Sequence, residues 1–222
     1  MEPLVFGLIG AGNSATNIAT SISNMEEATL KAVTSKPVDG AKKLAETLGV
    51  PTVYETNEEL LADEDLEAVI ISVPHGLHHP LTIQALNAGK HVLCEKPLAI
   101  TVEQGNEMIQ TAKDKGLKLG TFFQMRFNQA SQKAKEIVKS GELGDILHAQ
   151  VNVLWHRGQD YYNNSSWRGK WKTEGGGSLI NQASHSIDLM TWLTGHPKKL
   201  FGVFDAKTHD IEVDDNAAAV IV

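Results

Sequence analysis

The chain has 222 residues, enough for one large domain or two modest ones, and its 41% hydrophobic and 21% charged residues are those of an ordinary soluble globular protein. No apolar run approaches the roughly 18 residues a membrane helix needs, and Met1-Glu2-Pro3 leads straight into an apolar stretch without a basic signal region. A net charge of −7 argues against a nucleic-acid partner, and Cys94, the single cysteine, excludes an internal disulfide and suits the reducing cytoplasm.

Residues 4–9 (Leu-Val-Phe-Gly-Leu-Ile) form a short apolar strand that runs directly into Gly10-Ala-Gly-Asn-Ser-Ala15, after which Ile18, Ala19 and Ile22 recur at helical spacing. Strand, glycine turn and helix in this order are the dinucleotide-binding fingerprint. Gly10 permits the tight turn, and Gly12 lets backbone approach a pyrophosphate. Ala15 is small enough for the helix to lie on the strand, and Asn13 and Ser14 open that helix, where free N–H groups meet phosphate. The next strand, residues 29–34, ends at Ser35-Lys36, where a site for NAD usually has Asp or Glu on the adenosine ribose. Serine can bond a 2′-phosphate and lysine can neutralise it, so NADP(H) is the favoured cofactor, with NAD(H) possible.

Residues 41–48 read as a helix stopped by Gly49, and Thr56-Asn-Glu-Glu59 reads as a capping box. The buried strand 67–73 runs into Pro74-His75-Gly-Leu-His78, and a helix opening near Pro80 closes at Gly89. Val92-Leu-Cys94 is a strand end followed at once by Glu95-Lys96-Pro97. Lys96 is thereby held at a strand's carboxyl end, where ligands sit in open α/β sheets. Ser72, Pro74, His78, Glu95 and Lys96 are accordingly candidate cofactor contacts. A helix over residues 101–115 and a strand over 117–123 complete the alternation, which implies a doubly wound parallel sheet in a domain of residues 1–123.

Beyond residue 123 the pattern changes, and residues 124–222 form a second domain. Arg126 follows the last strand of the first domain and is a further candidate for the cofactor cleft. Residues 129–140 make an amphipathic helix, residues 146–155 alternate as a half-exposed strand, and a long aromatic loop spans residues 156–177. Gly175-Gly-Gly177 opens a helix over residues 178–194, and two strands follow at residues 200–206 and 217–222. On a wheel of about 100° per residue, Asn181, Ser184, His185 and Asp188 share one arc. Leu179, Ala183, Ile187, Met190 and Leu193 cover the opposite face, which points the polar arc at a cleft or at water. His75, His78 and His79 lie close together, but no cysteine or carboxylate recurs at zinc-ligand spacing, so no metal site is expected. Cys94 reads as a buried, unreactive thiol.

Four stretches together resemble the glucose–fructose oxidoreductase / inositol dehydrogenase (Gfo/Idh/MocA) family: Gly7 to Ala15, Pro74 to His78, Ala85 to Leu98, and Gly175-Gly-Gly-Ser-Leu-Ile-Asn-Gln-Ala-Ser-His-Ser-Ile-Asp188. The resemblance implies a Rossmann domain followed by an α+β domain with a mainly antiparallel sheet. It implies an NAD(P)-dependent oxidoreductase for a sugar, inositol or sugar derivative, a homo-oligomer when full length. In such enzymes the lysine here numbered 96 helps to move the substrate hydroxyl proton, and the histidine here numbered 185 acts beside it. Many members carry aspartate where this chain has Asn181, which can orient a hydroxyl but not take up its proton. Tyr162, Trp167 and Arg168, with Asn181 and His185, are the expected sugar contacts.

The chemistry agrees with the residues. Oxidising a carbinol needs a hydride acceptor on one face of the carbon and a base on its hydroxyl, a role lysine fills when a desolvated pocket and a nearby cation lower its pKa. Glu95 would oppose that shift by pairing with Lys96, so it is expected to turn towards cofactor or backbone. The family continues well past the end of these residues, so the second domain is expected to be incomplete, with an exposed sheet edge and poor solubility when expressed alone. Two other readings are a glycosidase that oxidises and re-reduces its sugar with tightly held NAD, and a nucleotide-binding regulator without catalysis.

Overall fold

Six short strands take up the apolar runs of the first half: β1 (Leu4–Ile9), β2 (Ala28–Thr34), β3 (Thr52–Val53), β4 (Ala68–Ile71), β5 (His91–Cys94) and β6 (Leu119–Thr121). All their pairings are parallel, in the order β3-β2-β1-β4-β5-β6. Helices α1 (Asn13–Ser23), α2 (Val38–Leu48), α3 (Asn57–Ala62), α4 (His78–Asn87) and α5 (Val102–Asp114) connect them. Successive strand residues enter opposite cores, as a sheet covered on both faces requires. Ile9 and Ile71 join Leu60, Leu86 and Cys94 on one face, while Leu8 and Ile70 join Ala15, Ala19 and Leu44 on the other. The strand order reverses between β1 and β4, which in such sheets puts the ligand crevice at their carboxyl ends. Thr56 and Glu59 make the anticipated reciprocal cap on α3.

The computed structural model describes residues 2–222 and separates into two compact units, the first ending at Phe122 and the second beginning at Phe123. The second unit holds α6 (Gln129–Ser140), α7 (Gln159–Asn163), α8 (Trp171–Glu174) and α9 (Ser184–Thr194), with antiparallel β7 (Leu200–Asp205) and β8 (Asn216–Ile221). The aromatic loop therefore contains two short helices. Residues 146–155, expected as a strand, form no regular strand. Alternation alone does not make one without a neighbour to complete the ladder, and Leu147 and Leu154 are 93% and 89% exposed.

The helix expected over residues 178–194 is divided. Ser178–Ala183 is a π-helical turn, and only Ser184–Thr194 is α-helical, so the simple wheel does not hold at Asn181. Asp214, distant in sequence, explains the wide turn. Its carboxylate accepts from Gly177 N at 2.8 Å, Leu179 N at 2.9 Å and Ser178 Oγ at 2.5 Å. A Cβ on residue 177 would lie 1.8 Å from the Asp214 carbonyl oxygen, so only glycine fits.

Candidate functional site

In the first unit the site begins at the β1–α1 turn. Gly10 has φ +118°, and a Cβ there would stand 2.0 Å from the Ser72 carbonyl oxygen. A side chain is thus excluded just beyond the ends of β1 and β4, where Gly10 meets Ser72. Gly12 faces open space, Asn13 and Ser14 are exposed, and no side chain caps α1. The first N–H groups of a helix have no intrahelical partner, and here they are accessible. Ala15 is fully buried against the sheet. These features fit a dinucleotide pyrophosphate.

The carboxyl ends of β4 and β5 are tied together by His78, which is 0% exposed. Its Nδ1 lies 2.7 Å from the Pro97 carbonyl oxygen and its Nε2 2.9 Å from that of Val73. A neutral ring has one N–H and can satisfy only one of them at a time. Protonation would satisfy both, but burial disfavours the charged ring more strongly and holds its pKa below the usual histidine value, while the carbonyls and Glu95 pull it up. His78, an expected cofactor contact, therefore serves to join the two loops. The Glu95 carboxylate accepts from the Ser14 hydroxyl and, at 3.0 Å, from Lys96 N. It has turned to backbone and to the fingerprint helix. Lys96 is half-buried, Ser72 buried and Pro74 half-buried at the same strand ends. Burial pushes the Cys94 thiol up to about 12, so it is neutral at physiological pH.

Ser35, expected to meet a 2′-phosphate, is buried and already bonded. Its hydroxyl donates to the Pro37 carbonyl at 2.6 Å and accepts from Ala41 N at 2.8 Å. It closes the turn into α2. Lys36 beside it is exposed.

In the second unit, Asn181 on the π-helical turn donates through Nδ2 to Glu174 Oε1 at 2.6 Å and to the Tyr161 hydroxyl at 3.4 Å. Gln182 donates to the same hydroxyl at 3.2 Å. Glu174 ends α8, is 1% exposed, and accepts from Gly169 N at 2.6 Å through Oε2. Burial raises its pKa, against the pull of those hydrogen bonds and of Arg168. The Arg168 guanidinium sits over the Tyr161 ring at 4.3 Å and the Trp167 ring at 4.7 Å, a cation between two aromatic faces. Tyr162 packs edge-on to Tyr161 and beside His209, and burial raises its phenol pKa. Four of the five expected sugar contacts thus gather around Tyr161 and Glu174, two residues not selected from sequence. A carboxylate abutting the glycine triplet was the available signal for Glu174. His185 starts α9 with its ring edge-on to Phe123, centroids 6.1 Å apart. Arg126, expected in the cofactor cleft, grips the Asp188 carboxylate with Nε (2.8 Å) and Nη2 and lies over the Trp192 ring. Among the described residues no group of three or more His, Cys, Asp or Glu is arranged to hold a metal ion, and no helix is long and apolar enough to cross a membrane.

Comparison with known proteins defines the class. Residues 4–123 match the model of the oxidoreductase family with an NAD-binding Rossmann fold, and residues 131–222 that of the GFO/IDH/MocA C-terminal domain. The chain belongs to the Gfo/Idh/MocA oxidoreductase family. Among curated relatives, the D-glucoside 3-dehydrogenase of Escherichia coli is 32% identical over 88% of this chain and 55% of its own length. The D-xylose 1-dehydrogenase (NADP(+)) 2 of Haloferax volcanii is 28% identical over 98% of this chain and 65% of its own. The chain thus spans between half and two thirds of those two enzymes. Among solved structures, the WlbA dehydrogenase of Chromobacterium violaceum, in complex with NADH and UDP-GlcNAcA, superposes with a TM-score of 0.93 at 32% identity. That match covers 100% of this chain and 64% of WlbA.

Proposed function

We propose that this chain carries the cofactor site and part of the substrate site of an NAD(P)-dependent oxidoreductase that moves a hydride between nicotinamide and a hydroxyl or carbonyl carbon of a sugar or sugar derivative. The observation that carries the reading is Lys96 at the end of β5, in a loop anchored by Glu95 and His78 beside an open, uncapped α1. The α1 N–H groups and Gly12 would hold the pyrophosphate. The nicotinamide, when bound, supplies the hydride acceptor or donor. Lys96 takes the proton from the reacting hydroxyl in oxidation and returns it in reduction, and His185 is the second group assigned to the reaction. Asn181 orients that hydroxyl or its neighbour. Tyr162, Trp167 and Arg168 hold the sugar, whose C–H faces suit aromatic rings.

Within this reading NADP(H) is favoured by Lys36 alone, because the Ser35 hydroxyl already has two partners. No carboxylate stands at positions 35 or 36 to repel a 2′-phosphate. Titration with NADPH and NADH, followed by D-xylose, a methyl D-glucoside and UDP-GlcNAcA read by nicotinamide absorbance, tests both levels. Lys96→Met should abolish turnover and leave cofactor affinity nearly unchanged. Turnover that survives this change refutes the assigned base, and equal affinities in wild type and Lys36→Ala for NADPH refute the phosphate preference.

A further inference from the structure

Of the 20 Lys and Arg residues only three are arginine, and all three lie in the second unit. Arg126 is neutralised by Asp188. Arg157 and Arg168 are not: among the described residues neither belongs to an ion pair. Yet the two converge on one half-buried side chain, their guanidinium carbons 5.3 and 4.3 Å from the centroid of the Tyr161 ring. Like charges brought together repel, and attraction to the ring offsets only part of that. An anion joining the cluster removes the repulsion. We propose that the substrate is a sugar derivative carrying an anionic group, a carboxylate or a phosphate, and that Arg157 and Arg168 bind that group. The inference rests on the sugar oxidoreductase reading, and deepens it by naming the substrate class.

Both arginines are held in place before any ligand arrives. The Arg157 carbonyl oxygen lies 2.7 Å from His209 Nε2, and Arg168 N donates to Ser165 Oγ at 3.2 Å. Each cation also meets a second ring, Arg157 that of Trp155 at 5.8 Å and Arg168 that of Trp167 at 4.7 Å. In both residues Nε is enclosed without a hydrogen-bond partner, and the terminal nitrogens are not. Among the described residues only one of those terminal nitrogens has an acceptor, Arg157 Nη2 on Gln182 Oε1 at 3.3 Å. The outer edges of the two forks are therefore left to water or to an oxyanion, which a guanidinium can bind with two parallel N–H groups. A neutral hydroxyl would use one of these donors and leave both charges uncompensated. Glu174, which couples to Arg168, is a single carboxyl against two guanidiniums, so the cluster keeps a positive charge in either of its protonation states.

Calorimetric titration in the presence of NADH tests this with three probes built on one hexose. Methyl α-D-glucoside is neutral, methyl α-D-glucuronide carries a carboxylate, and α-D-glucose 1-phosphate carries a phosphate. At least one of the two anions should bind about tenfold or more tightly than the glucoside, and the one preferred identifies the group. Arg157→Gln and Arg168→Gln should each cut that ratio below about threefold. Arg168→Lys, which keeps the charge and loses the planar fork, should also lower the ratio, and it decides the point if Arg168→Gln does not fold. Anions that bind no more tightly than the glucoside, or not at all, overturn the proposal, as does a ratio that survives in the arginine variants. Nicotinamide absorbance is read separately on the same probes. An anion preference without turnover supports this site and counts against the oxidoreductase reading alone. Turnover without the preference does the reverse.

Discussion

His78→Ala probes the joint between the β4 and β5 loops. The ring is fully buried between the Pro97 and Val73 carbonyl oxygens, at 2.7 and 2.9 Å. Its removal leaves at least one buried acceptor that was satisfied without a donor, costing about 1–3 kcal/mol. The vacated ring space adds about 2 kcal/mol, since it is smaller than the cavity of a deleted Phe. The expected loss is about 3–5 kcal/mol, a large part of the roughly 5–15 kcal/mol of a typical domain. Urea unfolding followed by circular dichroism at pH 7.5 should show a lower midpoint at unchanged slope. The pH dependence follows from the lowered folded pKa. Stability from a ring kept neutral is fully present above the unfolded histidine value near 6.5 and is lost as pH falls through the folded value. The gap between wild type and His78→Ala should therefore narrow at pH 5. A gap below about 1 kcal/mol at pH 7.5 refutes the joint. A gap that widens in acid means that a charged ring bridges both carbonyls, and refutes the neutral one.

Gly177→Ala should cost about 3 kcal/mol or more, because its Cβ would lie 1.8 Å from the Asp214 carbonyl and neither backbone segment can yield cheaply; thermal unfolding monitored by tryptophan fluorescence measures this, and a loss under about 1 kcal/mol contradicts it. Asp215 accepts from Lys207 N, Thr208 N and His209 N at 2.7, 2.8 and 3.0 Å, and these bonds hold its carboxyl well below the usual range despite burial. Its contribution is present above the unfolded value of 3.8 and lost as pH falls. Asp215→Asn should then cost about 2 kcal/mol at pH 7 and flatten the acid limb of stability between about pH 4 and pH 2; an unchanged acid limb excludes this role.

The first unit was legible because its constraints are local. Gly10 must lack a side chain where it meets the Ser72 carbonyl, and Ala15 must be small where α1 lies buried against the sheet. The strands read as unbroken apolar runs because both sheet faces are covered. In the second unit the decisive partners are distant in sequence. Nothing near Gly177 announces that Asp214 will take three donors from the turn and widen it, so a regular wheel was the natural expectation. Residues 146–155 alternate like a strand, but alternation specifies a face and not a neighbour. Ser35 and Arg126 show the same limit at the level of side chains. Their chemistry suits an anionic cofactor, yet Ser35 is bonded to Pro37 and Ala41, and Arg126 to Asp188. Which polar groups already have partners is a property of the folded chain.

The Ser14–Glu95 contact allows a test of where the pyrophosphate lies. Ser14 stands in the first turn of α1, whose dipole favours an anion, and its hydroxyl donates to Glu95. Ser14→Asp replaces the donor with a second carboxylate and also sets a negative charge where the phosphates are to bind. At about 4 Å and an effective dielectric constant near 20, each unit repulsion is about 4 kcal/mol, offset by about 0.3–1 kcal/mol from the dipole. Some of the remainder is relieved by rotation into water, because Ser14 is exposed. NADH affinity should fall about 100-fold or more, corresponding to about 3 kcal/mol. Ser14→Ala, which loses one exposed hydrogen bond and adds no charge, should weaken NADH no more than about fivefold. Fluorescence titration of NADH against both variants measures the ratio. If Ser14→Asp binds NADH as tightly as Ser14→Ala, the phosphates do not meet the start of α1. The assignment of Gly12 and its neighbours as the cradle then fails.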